Sequence, residues 1–331
     1  MANESGVLVI AEVSEDGSLA GISLELLGAA RRLADKLGQP VQAALLGQDV
    51  EALAPQLVAG GADKVYVVDD PLLAQYQGDA FVPAAEKACR EANPTVVLLG
   101  QTIIGRDLAP RLAARLDTAV AMDCLDLAIA DGRLVMTRAA YGGNANAQYT
   151  CKCLPQMASV RVKSQEPLPP DSSRQGEVVK VAAGLDASAI RTKIIDRRKE
   201  KAEGVRLEDA EVVVAGGRGM GGAEGFQVLE ELAGLMGGAV GASRAACDLG
   251  WYPVPQQIGL TGKVVSPALY IAVAISGASQ HMAGVSGAKS VVAINKDPEA
   301  NIFRFSRFGV VGDWKAVLPA FLDKVRELKA Q

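Results

Sequence analysis

Apolar positions along the chain alternate between two rhythms. Residues 7–11 are a short β-branched run that reads as a buried strand. Ile22, Leu26, Ala30, Leu33 and Leu37 then recur at helical spacing, and Gly38 follows as a helix-closing glycine. The cycle repeats: residues 41–46, 64–68 and 95–100 read as strands, with helical stretches at 51–59, 80–92 and 106–116. Buried strands alternating with helices predict a mostly parallel sheet covered on both faces. From 120 to 162 the helical period is lost, and Asp131-Gly132 separates 125–130 from 133–138, which predicts strands added to the first domain around a tight turn.

Pro167, Pro169 and Pro170, with Asp171, Ser172 and Ser173, mark a loop. The charged stretch 196–203, ending in Gly204, reads as a solvated linker. The chain is therefore divided into an N-terminal α/β domain with linker, 1–204, and a C-terminal domain, 205–331. The second domain opens with a strand at 211–215 and closes with a helix on which Val317, Phe321, Val325 and Leu328 share a face. Each domain is expected to be a mostly parallel sheet flanked by helices.

The opening strand of the second domain runs into Gly216-Gly217-Arg218-Gly219-Met220-Gly221-Gly222 and then into a helix through Leu229, Leu232 and Leu235. Gly217, Gly219 and Gly222 satisfy the GxGxxG spacing between a strand and a helix. Glycines there permit a tight turn and let phosphate oxygens reach backbone N–H groups at the positive end of the helix. A nicotinamide site also wants an acid at the end of the next strand. That strand, 239–242, ends instead in Ser243-Arg244, so an NADP-dependent reductase, its arginine meeting a 2′-phosphate, is one reading. A glycine turn that only packs a helix against a strand is another.

Composition narrows the choice. A length of 331 residues suggests about two domains, and 49% apolar against 22% charged residues excludes a disordered chain. A net charge of −4 excludes a basic nucleic-acid binder. The longest apolar run, 268–275, is far short of the ~18 residues of a membrane span, so no membrane insertion is expected. No Lys or Arg precedes Arg31, so no secretory or transit segment is expected. Five cysteines, Cys89, Cys124, Cys151, Cys153 and Cys247, form no CxxC pair, which fits reduced thiols and a cytoplasmic location. Cys151 and Cys153, two apart, are expected on one face of a strand as small packing residues. The one histidine, His281, rules out a His-rich metal site, and no GxSxG element accompanies it.

The surroundings of that histidine carry the chemistry. The strand 268–275 breaks at Ser276-Gly277, before Ala278-Ser279-Gln280-His281 opens a helix, making a second anion cradle. Two more strands end on polar residues: 290–294 on Asn295, and 309–311 on Gly312-Asp313. Several polar strand ends converging on one crevice point to a long ligand with a pyrophosphate, a ribityl or ribose unit and a ring system. His281 is best used there as a donor to a ring carbonyl or to charge developing on a ring.

The ordered series Gly-Gly-Arg-Gly, Gly-Ala-Ser-Arg-Ala, Thr-Gly-Lys, Ser-Gly-x-x-Gln-His and Ala-Ile-Asn-Lys-Asp, spread over 213–313, closely resembles the alpha subunit of electron transfer flavoprotein. The N-terminal half is similar to that family only in length and α/β pattern. The resemblance implies a Rossmann-like second domain binding FAD: Arg218 at the phosphates, Ser243 and Arg244 beside the isoalloxazine, Thr261 facing its N5 region. Ser276, Gly277, Ala278, Ser279, Gln280 and His281 would hold the ring and ribityl chain, with His281 at the pyrimidine edge. Asn295 and Asp313 would make adenosine-side contacts, and Ile258, Gly259, Leu260 and Trp314 complete the surroundings. Departures from the family pattern are Leu260 for glutamine, Ala274 for glycine and Ser279 for isoleucine, the last two conservative for packing, and Arg307, a positive charge expected near the adenosine end. The resemblance further implies an electron carrier without substrate turnover, paired with a beta subunit. Its electron partners would be an acyl-CoA dehydrogenase of fatty acid beta-oxidation, or another flavoprotein dehydrogenase, and a quinone- or ferredoxin-linked acceptor. Electron bifurcation stays open, as does a non-redox adenine-nucleotide-binding module.

Overall fold

β1 (Val7–Ala11) is buried along its whole length and leads into α1 (Gly21–Leu37), which turns Ile22, Leu26, Leu27, Ala30 and Leu33 inward. Gly38 ends that helix at φ 64°, the left-handed conformation a glycine adopts without cost. In this computed structural model, which describes residues 5–141, 145–196 and 205–329, the alternation continues as the sequence predicts. β2 (Val41–Gly47), α2 (Ala54–Ala59), β3 (Lys64–Asp69), α3 (Gly78–Ala92), β4 (Val96–Gly100) and α4 (Ile103–Arg115) follow in turn. β5 (Val120–Ala130), β6 (Arg133–Ala140), β7 (Ala145–Tyr149), β8 (Gln156–Val160) and β9 (Glu177–Lys180) complete one sheet, in the order β7-β6-β5-β8-β4-β1-β2-β3-β9.

β5, β8, β4, β1, β2, β3 and β9 run parallel, while β6 folds back antiparallel on β5. The turn is Asp131-Gly132, at φ 49° and 70°; positive φ at both residues matches the twist of the flanking strands. Successive residues of β1 serve opposite layers, as the period of two requires. Val7 and Val9 pack with Leu26 and Leu57; Leu8 and Ile10 pack with Ala85 and Leu112. Cys151 and Cys153 depart from expectation. They lie between β7 and β8 rather than on a strand, Cys151 half-buried and Cys153 exposed. Pro155 follows closely and has no N–H to give a ladder, so pairing resumes only at Gln156.

The second sheet is built from β10 (Val212–Gly216), β11 (Ala239–Ser243), β12 (Gln257–Ile258), β13 (Leu269–Val273), β14 (Val291–Asn295) and β15 (Phe308–Val311). Between and after them come α5 (Glu224–Met236), α6 (Arg244–Asp248), α7 (Ser279–Met282) and α8 (Trp314–Lys329). The sheet order is β12-β11-β10-β13-β14-β15, and every pair is parallel. Counted in chain order this is 3-2-1-4-5-6, the doubly wound arrangement, with the reversal between β10 and β13. On α8 the buried stripe is Leu318 and Leu322, flanked by Val317, Phe321 and Val325. Leu328, expected on that face, is 59% exposed, because the last turn of α8 runs past the packed cluster.

By contacts the chain divides into two compact units, Met1–Ala139 with Asn146–Arg197, and Ala140–Ala145 with Arg198–Gln331. The stretch read as a linker lies, from 197 to 204, outside the described residues. Among the described residues no helix is long and apolar enough to cross a membrane. None of their His, Cys, Asp and Glu side chains cluster in threes that could hold a metal.

Candidate functional site

A doubly wound sheet leaves a crevice at the carboxyl ends of the strands flanking its reversal. Here those ends are Gly216-Gly217 and Ala274. The Gly217 N–H donates to the Val273 carbonyl at 2.9 Å, and the Gly219 N–H reaches the Ala274 carbonyl at 3.4 Å. The glycine turn is longer than a single sharp bend. Arg218–Met220 form one 3₁₀ turn, and Gly221, at φ 83°, redirects the chain toward α5. A Cβ on Gly217 would lie 2.1 Å from the Ala274 carbonyl oxygen, and one on Gly219 would lie 3.0 Å from the Ala274 methyl; a Cβ on Gly222 would meet nothing. Two of the three motif glycines therefore serve close approach of β13, and Gly222 leaves backbone open to a ligand.

Ala274 itself sits at φ 54°. Replacing a glycine there is thus not a matter of packing alone, as the sequence reading had it: the position is one where an L side chain is strained.

From Ala274 the edge continues through backbone carbonyls held by amide side chains. Asn295 Nδ2 donates to the Ile275 carbonyl at 2.9 Å, and Asn295 Oδ1 accepts from the Asp297 N–H at 3.0 Å, so this side chain staples the end of β14 to the end of β13. Asn301 Nδ2 donates to the Gly277 carbonyl at 2.8 Å, and the Ile302 N–H donates to the Ser276 carbonyl at 3.0 Å. Asp313 Oδ1 accepts from the Lys315 N–H at 2.9 Å at the start of α8. A cavity of about 170 Å³ opens between these ends, lined by Gly219 and Gly221, by Asn295 and Lys296, and by Asp313, Trp314 and Lys315.

The other end of the edge is assembled by two loops. Ser243, the last residue of β11, is in register with Ile258 of β12. The Leu260 N–H donates to the Gln280 carbonyl at 2.7 Å, and the Val265 N–H to the Gly284 carbonyl at 2.8 Å. A Cβ on Gly284 would lie 2.5 Å from the Gly259 nitrogen, so the backbones nearly touch. Thr261 is exposed and its hydroxyl accepts from Gln257 Nε2 at 3.0 Å. Arg244 Nε reaches Asp248 Oδ2 at 3.3 Å, but both side chains are well exposed, and a pair of that kind holds a guanidinium weakly. Arg218, Ser276, Ala278, Ser279 and Gln280 face solvent along the rim, and Leu260 is 66% exposed. The helix expected to begin after Ala278 is one turn long, so the second cradle is smaller than the sequence implied.

His281 is buried. Its Nε2 lies 2.8 Å from the Tyr270 hydroxyl, and its Nδ1 has no hydrogen-bond partner. Burial pushes the imidazole pKa down to about 4, opposed by the Ile258 backbone. The ring is neutral at pH 7. Tyr270 is fully buried on β13, and burial drives its hydroxyl well above the ordinary phenol range.

Two placements change the sequence picture. Arg307 precedes β15 and donates its N–H to the Val291 carbonyl at the start of β14, so it stands at the amino edge of the sheet, away from the crevice. Its backbone therefore does not stand with Asn295 and Asp313, because a parallel strand carries its first and last residues to opposite edges. Tyr270, Asn301, Lys296 and Lys315 belong to the site and were missed. Only Tyr270 advertised itself: a tyrosine inside a buried strand must find a partner for its hydroxyl.

Residues 7–186 match the family model described as electron transfer flavoprotein domain, and 206–286 match electron transfer flavoprotein FAD-binding domain. The chain is 46% identical to the electron transfer flavoprotein subunit alpha of Thermoanaerobacterium thermosaccharolyticum, over 99% of this chain and 100% of that one. It is 46% identical to the protein of the same name from Megasphaera elsdenii, over 99% and 98% of the two chains. It is 42% identical to Protein FixB of Azorhizobium caulinodans, over 94% and 86%.

Proposed function

The chain belongs to the electron transfer flavoprotein alpha subunit family, and on that premise we propose that FAD lies along the carboxyl edge of the β10–β15 sheet. The protein is an electron carrier that binds FAD and has no substrate of its own to turn over. When bound, FAD supplies the electron-accepting and electron-donating chemistry, and the chain supplies binding, orientation and electrostatics.

The residues present fit such a group. Arg218, Lys296 and Lys315 place three cations at or beside the cavity, a donor set suited to a pyrophosphate. Gly222 leaves the backbone before α5 uncovered, where helix N–H groups favour negative charge. Hydroxyls of Ser243, Thr261, Ser276 and Ser279 supply neutral donors and acceptors of the kind a polyol chain takes. The buried, unpartnered His281 Nδ1 is the orphaned polar atom that a bound ring would satisfy. Arg244, at the end of β11, favours whichever state of a neighbouring group carries more negative charge. The loops 258–262 and 276–284 are zipped together on one side of that region. Asn295 and Asp313 act through their remaining lone pairs and their place in the cavity, since Asn295 already makes two structural hydrogen bonds and Asp313 one.

As an alpha subunit the chain pairs with a beta subunit and exchanges electrons with other flavoproteins. We take an acyl-CoA dehydrogenase as the donor and a quinone- or ferredoxin-linked acceptor as the outlet, in the cytoplasm, with the FAD-binding domain spanning 205–331. The observation that carries the reading is the convergence of the predicted residues on the carboxyl edge at the sheet's reversal. It is tested by the absorbance spectrum and flavin count of the heterodimer. One FAD per heterodimer supports a shuttle, a second marks an electron-bifurcating assembly, and a colourless heterodimer overturns the assignment.

A further inference from the structure

The Tyr270–His281 pair settles how the one imidazole of the chain is protonated. Tyr270 lies on β13 and is fully buried; His281 lies on the single turn α7. Their polar atoms are 2.8 Å apart, and among the described residues the Tyr270 hydroxyl has no other hydrogen-bond partner. Two arrangements satisfy that distance. If Nε2 carries the proton and donates to the phenol oxygen, the phenol hydrogen and the Nδ1 lone pair are both left buried without partners. If the phenol donates to Nε2, Nδ1–H and the phenol lone pairs are left. Each arrangement leaves one hydrogen and one acceptor without a partner, but the phenol O–H is the stronger donor of the two and a neutral imidazole nitrogen the stronger acceptor, so O–H···Nε2 is the better bond.

We propose that Tyr270 is a positioning residue for the cofactor loops: its hydroxyl donates to Nε2 and fixes His281 as the neutral Nδ1–H tautomer. Nδ1–H is then a fixed, uncharged donor on a ring that neighbours the Ile258 backbone, where the loop that includes Leu260 and Thr261 begins. Through this one ring β13 orders both loops, because His281 ends the segment 276–281 and faces the start of 258–261. The zipper from Leu260 to Gln280 fixes their spacing, while Tyr270 fixes the rotation and tautomer of the imidazole between them. The role rests on the FAD reading above, but the tautomer itself does not.

The test uses the FAD-loaded heterodimer labelled with ¹⁵N in the histidine rings, the His281 signals being identified by their loss in His281→Gln. The expected result is a proton-bearing Nδ1 and a proton-free Nε2 at neutral pH. Tyr270→Phe should mix the two tautomers and release FAD several-fold more readily, while the far-ultraviolet circular dichroism stays unchanged. A proton on Nε2 in the wild-type protein overturns the proposal, as does a Tyr270→Phe protein with the wild-type tautomer. Should Tyr270→Phe not fold, the wild-type spectrum alone decides. A heterodimer that never carries FAD defeats the cofactor reading separately, and the tautomer is still read from its spectrum.

Discussion

The carbonyl oxygen of Ala274 occupies the space where a side chain on Gly217 would begin: a Cβ built on Gly217 would lie 2.1 Å from it. This contact joins the ends of β10 and β13, the two strands at the reversal, and so fixes the shape of the crevice. A backbone carbonyl cannot swing aside as a flexible side chain can. Gly217→Ala should therefore destabilise the protein by about 1–3 kcal/mol, the usual cost of forcing atoms into a filled site. Gly222→Ala, whose Cβ meets nothing, should stay within about 0.5 kcal/mol of wild type. Urea denaturation of the two variants checks the contrast, and equal losses would refute it.

Ala274 holds φ at 54°, where an alanine is strained by about 1–2 kcal/mol. Glycine removes that strain but adds about 0.5–1 kcal/mol of backbone entropy to be lost on folding. Ala274→Gly should thus raise stability by about 0.5–1 kcal/mol. A melting temperature at or below the wild-type value would contradict this.

Most of the frame was legible in the sequence, and the reasons are local. Gly38 closes α1, Asp131-Gly132 turns β5 into β6, and the apolar runs mark the strands because burial on both faces leaves few polar positions in them. The strand ends carrying site residues were legible for the same reason: where the run stops, the crevice begins. Neighbours across the sheet were not. Tyr270 meets His281, and Asn301 meets Gly277, through loops whose paths no local pattern dictates. The resemblance alone does not show that Arg307 and Asp313, close in sequence, stand at opposite edges because β15 lies between them. The structural hydrogen bonds of Asn295 and Asp313, which sit beside their proposed part in ligand binding, also appear only in three dimensions.

Two groups in different units, half-buried Glu12 and buried His281, titrate in the same pH range with opposite sign. Burial raises the Glu12 carboxyl to about 7, opposed by the hydrogen bond it accepts from the Thr102 hydroxyl. The folded state then binds this proton more tightly than the unfolded chain, so the stability it gives is full at low pH and lost as pH rises through 7. His281, lowered to about 4, behaves in reverse: its contribution is full above the ordinary histidine value and lost as pH falls toward 4. Between about pH 5 and about pH 7 each changes stability by about 2 kcal/mol, in opposite directions. Glu12→Gln should therefore make the protein lose stability as pH falls over that interval, and His281→Gln should make it gain. Urea midpoints at the two pH values read the slopes, and variants with the wild-type slope would show that neither group titrates as described.

Arg218 is the exposed cation on the 3₁₀ turn beside the cavity. A hydrogen bond to a charged group is worth about 1.5–3 kcal/mol, so Arg218→Ala should weaken FAD binding by roughly 10- to 100-fold. Arg307→Ala, at the opposite edge of the sheet, should leave the affinity unchanged. Flavin release into ultrafiltrate, measured at a series of protein concentrations, gives both constants. An Arg307→Ala loss equal to that of Arg218→Ala would move the site.

The central claim is that FAD lies on the carboxyl edge of the β10–β15 sheet. Amide hydrogen exchange of the heterodimer, compared with and without FAD, tests it most directly. The account predicts that loading FAD slows exchange in 217–222, 258–262, 276–282, 295–296 and 312–315, and leaves the amino edge around Arg307 unchanged. Protection confined to the first unit, or spread along the amino edge, would contradict it.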